Sequence, residues 1–351
     1  MTATTTVTGS SEKPPEVGAP RKRGSLWRRL SRPFRESHGV QRFMLMGGTA
    51  VSLVFIICAV FAGQIAPYGH AQQDLNGQDF PRQGEPSDTN HWGTTVLGMD
   101  VLSRTIWGAR TALEVVVLAL VFSIAIGVPL GLISGYVGGW LDRILVLIND
   151  ALFAFPYLLL AIVAAFLLGN RIDNGIVVTA IAITVVYVPQ YFRVVRASTL
   201  SAREATYIEA ARAMGAKPST IIRRYLFGNV VQSVPVIATL NAADAILTLA
   251  ALGFLGYGIQ PTDAAEWGYD LQRAIDDAGA GIWWTGLFPG MAIVLLVTGF
   301  TLLGEGLNDV INPLLRARRT KKPEIPERPA SGGHQAVPAA TPPPEPEGNS
   351  P

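Results

Sequence analysis

Six long apolar runs, at 43–66, 113–133, 144–168, 176–192, 230–255 and 287–307, alternate along this chain with polar, charged or turn-rich segments. Each approaches or exceeds the ~20 helical residues needed to cross a ~30 Å hydrocarbon core. A helix satisfies its own backbone donors and acceptors there, so the pattern predicts six transmembrane helices. The run at 176–192 is the shortest, because Pro189 and Gln190 interrupt it. Pro129 and Pro156 fall within the second and third runs. Each removes a helical hydrogen bond, so kinks are expected at both. Gly127, Gly131 and Gly135 make overlapping small-xxx-small steps on the second helix, the pattern that lets two helices pack closely.

One polar stretch does not read as a plain loop. Between the fourth and fifth runs lies YIEAARAMGAKPSTIIRRYLFGN, residues 207–229. Just before it, Ser201 and Glu204 have the spacing of a capping box, which predicts a helix start. Gly215 suits a left-handed helix stop, and Pro218 suits the first turn of a second helix. The product is a helix-turn-helix over 201–229. Three readings are open for it: a connecting loop packed on its own bundle, a DNA-binding motif, or a docking element for a cytoplasmic partner. The DNA reading is disfavoured by the tethers to apolar runs at both ends. A docking element would present the small residues Ala210, Ala211 and Gly215 so that two backbones approach closely.

Composition and charge sharpen the class. The chain is 49% hydrophobic and 15% charged, against about 25% charged in an average soluble domain. With the N-terminus in the cytoplasm, the inner side receives the basic stretch before residue 43, Arg143, Arg193, Arg196, Arg203, Arg212, Lys217, Arg223, Arg224 and the basic residues after 315. The outer side keeps only Arg82, Arg104, Arg110, Arg171 and Arg273. That asymmetry follows the positive-inside rule and places both termini and the hairpin in the cytoplasm. Trp267, Trp283 and Trp284 then fall on the outer side, where an aromatic belt is expected.

The organisation follows: a disordered basic tail at 1–42, an uncleaved first helix at 43–66, an extracytoplasmic segment at 67–112 and a bundle at 113–316. A proline-rich tail at 317–351 carries too few large apolar residues to fold.

Candidate chemistry is sparse. Cys58 is the single cysteine, and His38, His70, His91 and His334 show no ligand spacing. No zinc-protease, serine-hydrolase or phosphate-loop motif occurs, so neither a catalytic site nor an ATP site is expected on this chain. Acids inside membranes are costly and usually face a cavity or a partner. Asp244 lies well inside the fifth run, where pathway lining and interhelical pairing are equally open. Asp150 and Glu305 fall near cytoplasmic ends, where solvation or pairing accounts for them, and Asp150 joins Asp244 as a candidate for the path.

The hairpin's Glu209-Ala210-Ala211, Gly215, Ile222 and Asn229 resemble the EAA loop of ABC-importer permeases. The blocks HWGTTVLGMDVLSRTIWGART, GYVGGWLDRIL, NDALFAFPYLLLAI, FLGYGIQPTDAAEWG, GLFPG and GEGLNDVINPLLR extend the likeness over 91–316. Their order is similar to the C-type permease subunits of dipeptide, oligopeptide and nickel importers.

This resemblance implies an all-α membrane protein of six helices in the bacterial inner membrane, importing di- or oligopeptides. Glu209, Ala210, Ala211 and Gly215 would couple it to two cytoplasmic ATP-binding subunits, with ATP and magnesium held there and no cofactor on this chain. A second, homologous permease would complete the path, and an extracytoplasmic binding protein would deliver substrate.

Some positions depart from the family pattern. Met99 stands where glycine or arginine is usual, Gly228 replaces a proline, Leu249 a frequent glutamate and Gly253 a frequent serine. A nickel or other small-solute permease is the alternative. An ATP-independent secondary transporter is a further rival, lacking here the inverted repeats and broken midplane helices of that class. A membrane enzyme is the other, without any nucleophile–base or metal-ligand set to support it.

Overall fold

A computed structural model of the chain describes residues 40–311. The tail expected at 317–351 and nearly all of the one at 1–42 lie outside the described residues.

Regular structure among the described residues is helical apart from one small hairpin and an isolated bridge between Thr94 and Asp100. Helix α1 spans Val40–Val60 and is followed by the single turn α2, Ala62–Ile65. Strands β1 (Asp74–Leu75) and β2 (Gln78–Asp79) pair antiparallel around Asn76 and Gly77. Both turn residues have positive φ, 55° and 81°, as a two-residue hairpin turn of this hand requires. Then come α3 (Val101–Val137), α4 (Gly139–Ala154), α5 (Tyr157–Gly169) and α6 (Gly175–Arg203). The short helices α7 (Thr206–Ala213), α8 (Pro218–Thr220) and α9 (Phe227–Val230) lead into α10 (Val234–Phe254). Helices α11 (Trp267–Gly279) and α12 (Trp284–Ile311) complete the order.

Five helical runs are long and apolar enough to cross a membrane: Gln41–Val60, α3, α6, Pro218–Phe254 and Trp284–Asn308. The third expected span is not one kinked helix. It is the pair α4 and α5, bent by 99° at Phe155 and Pro156. Pro156 caps α5 in extended geometry (ψ 125°), so the proline breaks the helix instead of bending it.

The path of the chain makes this pair a sixth crossing. Helices α3 and α6 pack in parallel, since a Cβ at Gly127 would lie 2.8 Å from Tyr191 Cβ, at Gly131 2.7 Å from Phe192 O, and at Gly135 2.7 Å from Thr199 Cβ. The end of α3 therefore sits beside the end of α6. The start of α6, at Gly175, lies near Ile259 beyond the far end of α10. Residues 138–174 must run the length of the bundle to connect them. The three small residues serve helix packing, as their spacing predicts.

Pro189 does not interrupt the fourth span. It is buried inside α6, whose 29 residues run on to Arg203. The close fit against α3 on both sides of Pro189 holds the helix together despite the missing donor. Pro129 likewise lies within α3 without ending it.

Outward-facing Leu53, Val54, Val117, Val121, Leu159, Phe166 and Val294 are exposed. An apolar surface of this extent belongs in lipid.

Helix α3 begins twelve residues before the run that announced it, capped by Asp100, whose Oδ2 accepts from Ser103 N at 2.8 Å. At ~1.5 Å per residue its 37 residues span ~55 Å, well beyond the hydrocarbon core. The excess joins a cap built from the segment 67–100 and α11. Arg104 on α3 meets Asp270 on α11, and Trp267 Nε1 donates to Thr105 O at 3.1 Å. Gly108 gives Trp267 room, since a Cβ there would lie 2.2 Å from Nε1. Glu266 caps α11 by accepting from Gly268 N and Tyr269 N at 2.8 and 2.7 Å.

The expected aromatic belt is corrected here. Trp267 and Trp284 are buried within the cap, Trp284 donating to Thr94 O at 3.3 Å, and only Trp283 stays exposed. Their indole donors find backbone acceptors inside the cap, which an interface with lipid does not supply.

Candidate coupling hairpin and transmembrane cavity

The first arm of the hairpin is α7. Its stop is a Schellman motif: Ala216 N donates to Ala211 O at 3.0 Å, and Gly215 N to Arg212 O at 2.9 Å. Gly215 carries the positive φ, 77°, that this geometry demands. Pro218 opens the second arm at its first turn. That arm passes through a π-helical turn, Ile221–Leu226, into α9 and onward to α10. Asn229 Nδ2 donates to Tyr207 Oη at 3.0 Å and ties the two arms together.

The capping box does not form. Ser201 lies inside α6, Glu204 pairs with Arg203 at 2.8 Å, and α7 starts after Ala205 without a side-chain cap. Contacts with α3 extend α6 past the signal: Arg203 Nη1 donates to Gly135 O at 3.0 Å, and Thr199 is buried.

One face of the hairpin is bound to its own bundle. Ile208, Ala211, Ile221 and Leu226 are all buried, Ile208, Ile221 and Leu226 within the main core, and Arg212 lies 5.4 Å over the Tyr136 ring. The opposite face is open, with Glu209, Ala210 and Gly215 exposed and Met214 77% exposed. Glu209 has no side-chain partner among the described residues. Ala211 is thus not part of the presented face: at helical spacing it falls on the same side as Ile208 and anchors the arm.

Several basic residues assigned to the inner side belong to helices near this end of the bundle. Arg196 binds Asp142 of α4 through Nε at 2.6 Å and Nη2 at 2.7 Å, and Ser134 of α3 donates to the same carboxylate. This bidentate pair joins α3, α4 and α6.

Of the two acids of the candidate path, Asp244 lines a cavity and Asp150 pairs with an arginine that lines it. About 350 Å³ in volume, the cavity opens at the break between α4 and α5, lined by Phe153, Phe155, Tyr157, Tyr187, Gln190, Arg193 and Asp244 among others. Asp244, exposed on α10, accepts from Tyr187 Oη at 2.7 Å. Asp150 meets Arg193 Nη2 at 3.1 Å, both side chains more than half exposed, and the guanidinium rests 4.0 Å over the Phe153 ring. Sequence reasoning did not place Arg193, Tyr187 or Gln190 on the path. The signal for Arg193 was its position directly after an apolar run, with an acid, Asp150, on the neighbouring predicted helix.

Comparison with known proteins agrees with this architecture. Residues 127–317 match the family model described as binding-protein-dependent transport system inner membrane component. The glutathione transport system permease protein GsiD of Pectobacterium atrosepticum is 36% identical over 292 residues, 83% of this chain and 92% of that protein. GsiD of an Escherichia coli strain is 37% identical over 305 residues, 87% of this chain and 94% of that protein. The dipeptide transport system permease protein DppC of Alkalihalophilus pseudofirmus is 36% identical over 296 residues, 84% and 91% of the two chains. The chain belongs to the family of binding-protein-dependent transport system inner membrane components, the multi-pass permease subunits of ABC importers.

Proposed function

We propose that this chain is the permease subunit of an importer that moves small peptides inward, driven by ATP hydrolysis on partner subunits. The observation that carries the reading is the two-faced hairpin. Its inner face is fixed to the core by Ile208, Ile221 and Leu226, so displacement of the outer face moves the helices behind it. A partner ATPase that grips Glu209, Ala210, Met214 and Gly215 differently with and without ATP would thereby bias the bundle between two states. Both arms continue into long helices, α6 and Pro218–Phe254, so the motion reaches the cavity directly.

The charge asymmetry supports cytoplasmic placement of the hairpin. The names of the relatives support glutathione- or dipeptide-sized cargo over nickel. A second permease would face the cavity, a binding protein would deliver cargo at the cap, and ATP with magnesium would bind the ATPase partners, this chain holding neither.

Proteoliposomes test this. The chain, reconstituted with its native partners and with ATP inside, should accumulate labelled dipeptide presented outside by the binding protein. Accumulation without ATP would refute the ATP-driven reading.

A further inference from the structure

We infer that the cavity beside Pro156 is a two-ended site for the termini of a zwitterionic peptide. Asp244 would receive the α-ammonium group and Arg193 the α-carboxylate. The inference rests on the peptide reading above and adds to it which groups of the cargo are held, and by which residues.

Three features carry it. The first is the distribution of charge. Asp244 and Arg193 line the same cavity, one acidic and inside an apolar run, the other basic and just past the end of one. Asp244 is exposed and held only by the Tyr187 hydroxyl, and among the described residues no cation pairs with it. An acid deep in a span that faces a cavity without a counter-ion is placed to receive a cation.

The second is spacing. Tyr187, which holds Asp244, lies six residues before Arg193 on α6, a rise of ~9 Å along the helix. An extended chain spans ~3.3–3.6 Å per residue, so the termini of a two- or three-residue peptide are separated by ~7–11 Å.

The third is exchangeability. Arg193 is paired with Asp150, but at 57% and 60% exposure that pair is weakly held and can give way to a substrate carboxylate. The Phe153 ring under the guanidinium keeps it in place during the exchange. Phe155, Tyr157, Leu160 and Gln190 line the same cavity, an amphipathic lining that admits varied side chains.

The test uses the assembled transporter in proteoliposomes, with labelled dialanine as cargo and two simultaneous readouts, peptide moved and ATP hydrolysed. Asp244→Asn and Arg193→Gln should each lower the peptide moved per ATP at least tenfold, and Asp244→Glu should recover most of the loss. A defect of folding or assembly lowers both readouts together and leaves the ratio unchanged. An unchanged ratio with ATP hydrolysis at wild-type level, in either neutral variant, overturns the two-ended site. If the wild-type assembly moves no dialanine, the peptide reading falls and the site falls with it. If the wild type transports and the variants match it, the site alone is overturned.

Discussion

Arg104 and Asp270 lie 166 positions apart in sequence and form a buried ion pair, with Nη2 2.7 Å from Oδ1 and side chains only 2% and 10% exposed. Nε lies 3.0 Å from both carboxylate oxygens, and Nη1 donates to His70 O at 3.0 Å. One guanidinium thus joins α3, α11 and the segment after α2. Removing a single member leaves the other charge buried and unmatched, a cost of roughly 3–5 kcal/mol. Asp270→Ala should therefore lower the thermal midpoint of the detergent-purified protein by about 5 °C or more. Arg104→Met combined with Asp270→Leu should lose less than either single change. Equal stability of Asp270→Ala and wild type would show that the pair does not hold the cap.

Glu266 gives the cap a pH dependence. Burial raises its pKa to about 8 from 4.5, opposed by the amides of Gly268 and Tyr269 and by Arg104, and reinforced by Asp270. A carboxyl raised on folding contributes stability that is complete below its unfolded value and lost as pH climbs through the folded one. Stability should therefore fall between about pH 4.5 and pH 8 and level off above. Burial also raises Asp270, so its contribution has the same sign. Glu266→Gln should flatten the profile, as read from thermal midpoints across that range. A wild-type profile that rises with pH over the same range would contradict this account of the cap.

Much of this cap was invisible in the sequence, for physical reasons. Helix α11 carries Asp270, Asp276 and Asp277 within thirteen residues, and so reads as a polar loop until Arg104, Thr105 and Gly108 of α3 are seen to receive it. Those contacts are non-local, and no local propensity encodes them. The spans were legible because lipid demands long apolar runs, and the turn was legible because Gly215 and Pro218 satisfy strict backbone geometry. Signals that tertiary packing can override failed: the Ser201–Glu204 box lost to the α3–α6 contact, and Pro189 was absorbed by it. Pro156 gave the place of the break but not its angle. Of the candidate site, Asp150 and Asp244 stood out as charges in apolar surroundings, whereas Tyr187 and Gln190 appear in the cavity only through the fold.

The proposed topology, with the hairpin in the cytoplasm, rests on the charge asymmetry and the parallel packing of α3 and α6. In a Cys58→Ala background, cysteines at Ser87 and Asp263 should react with an impermeant thiol reagent in intact cells, and one at Ser219 should not. All three wild-type positions are exposed, so burial does not confound the readout. Labelling at Ser219 before permeabilisation would place the hairpin outside and remove it from reach of any cytoplasmic ATPase.

The hairpin's role is tested most directly by measuring ATPase copurification and ATP-driven peptide uptake together in Gly215→Val and Glu209→Lys. Gly215 holds φ at 77°, so a β-branched residue there strains the turn and shifts α7 against the second arm. Glu209 is exposed and unpaired among the described residues, so reversing its charge leaves the fold intact and alters only what the open face offers a partner. Both variants should insert in the membrane at wild-type levels, lose most of the copurifying ATPase and reduce uptake at least tenfold. Wild-type ATPase recovery and wild-type uptake in both variants would contradict the coupling role of the hairpin.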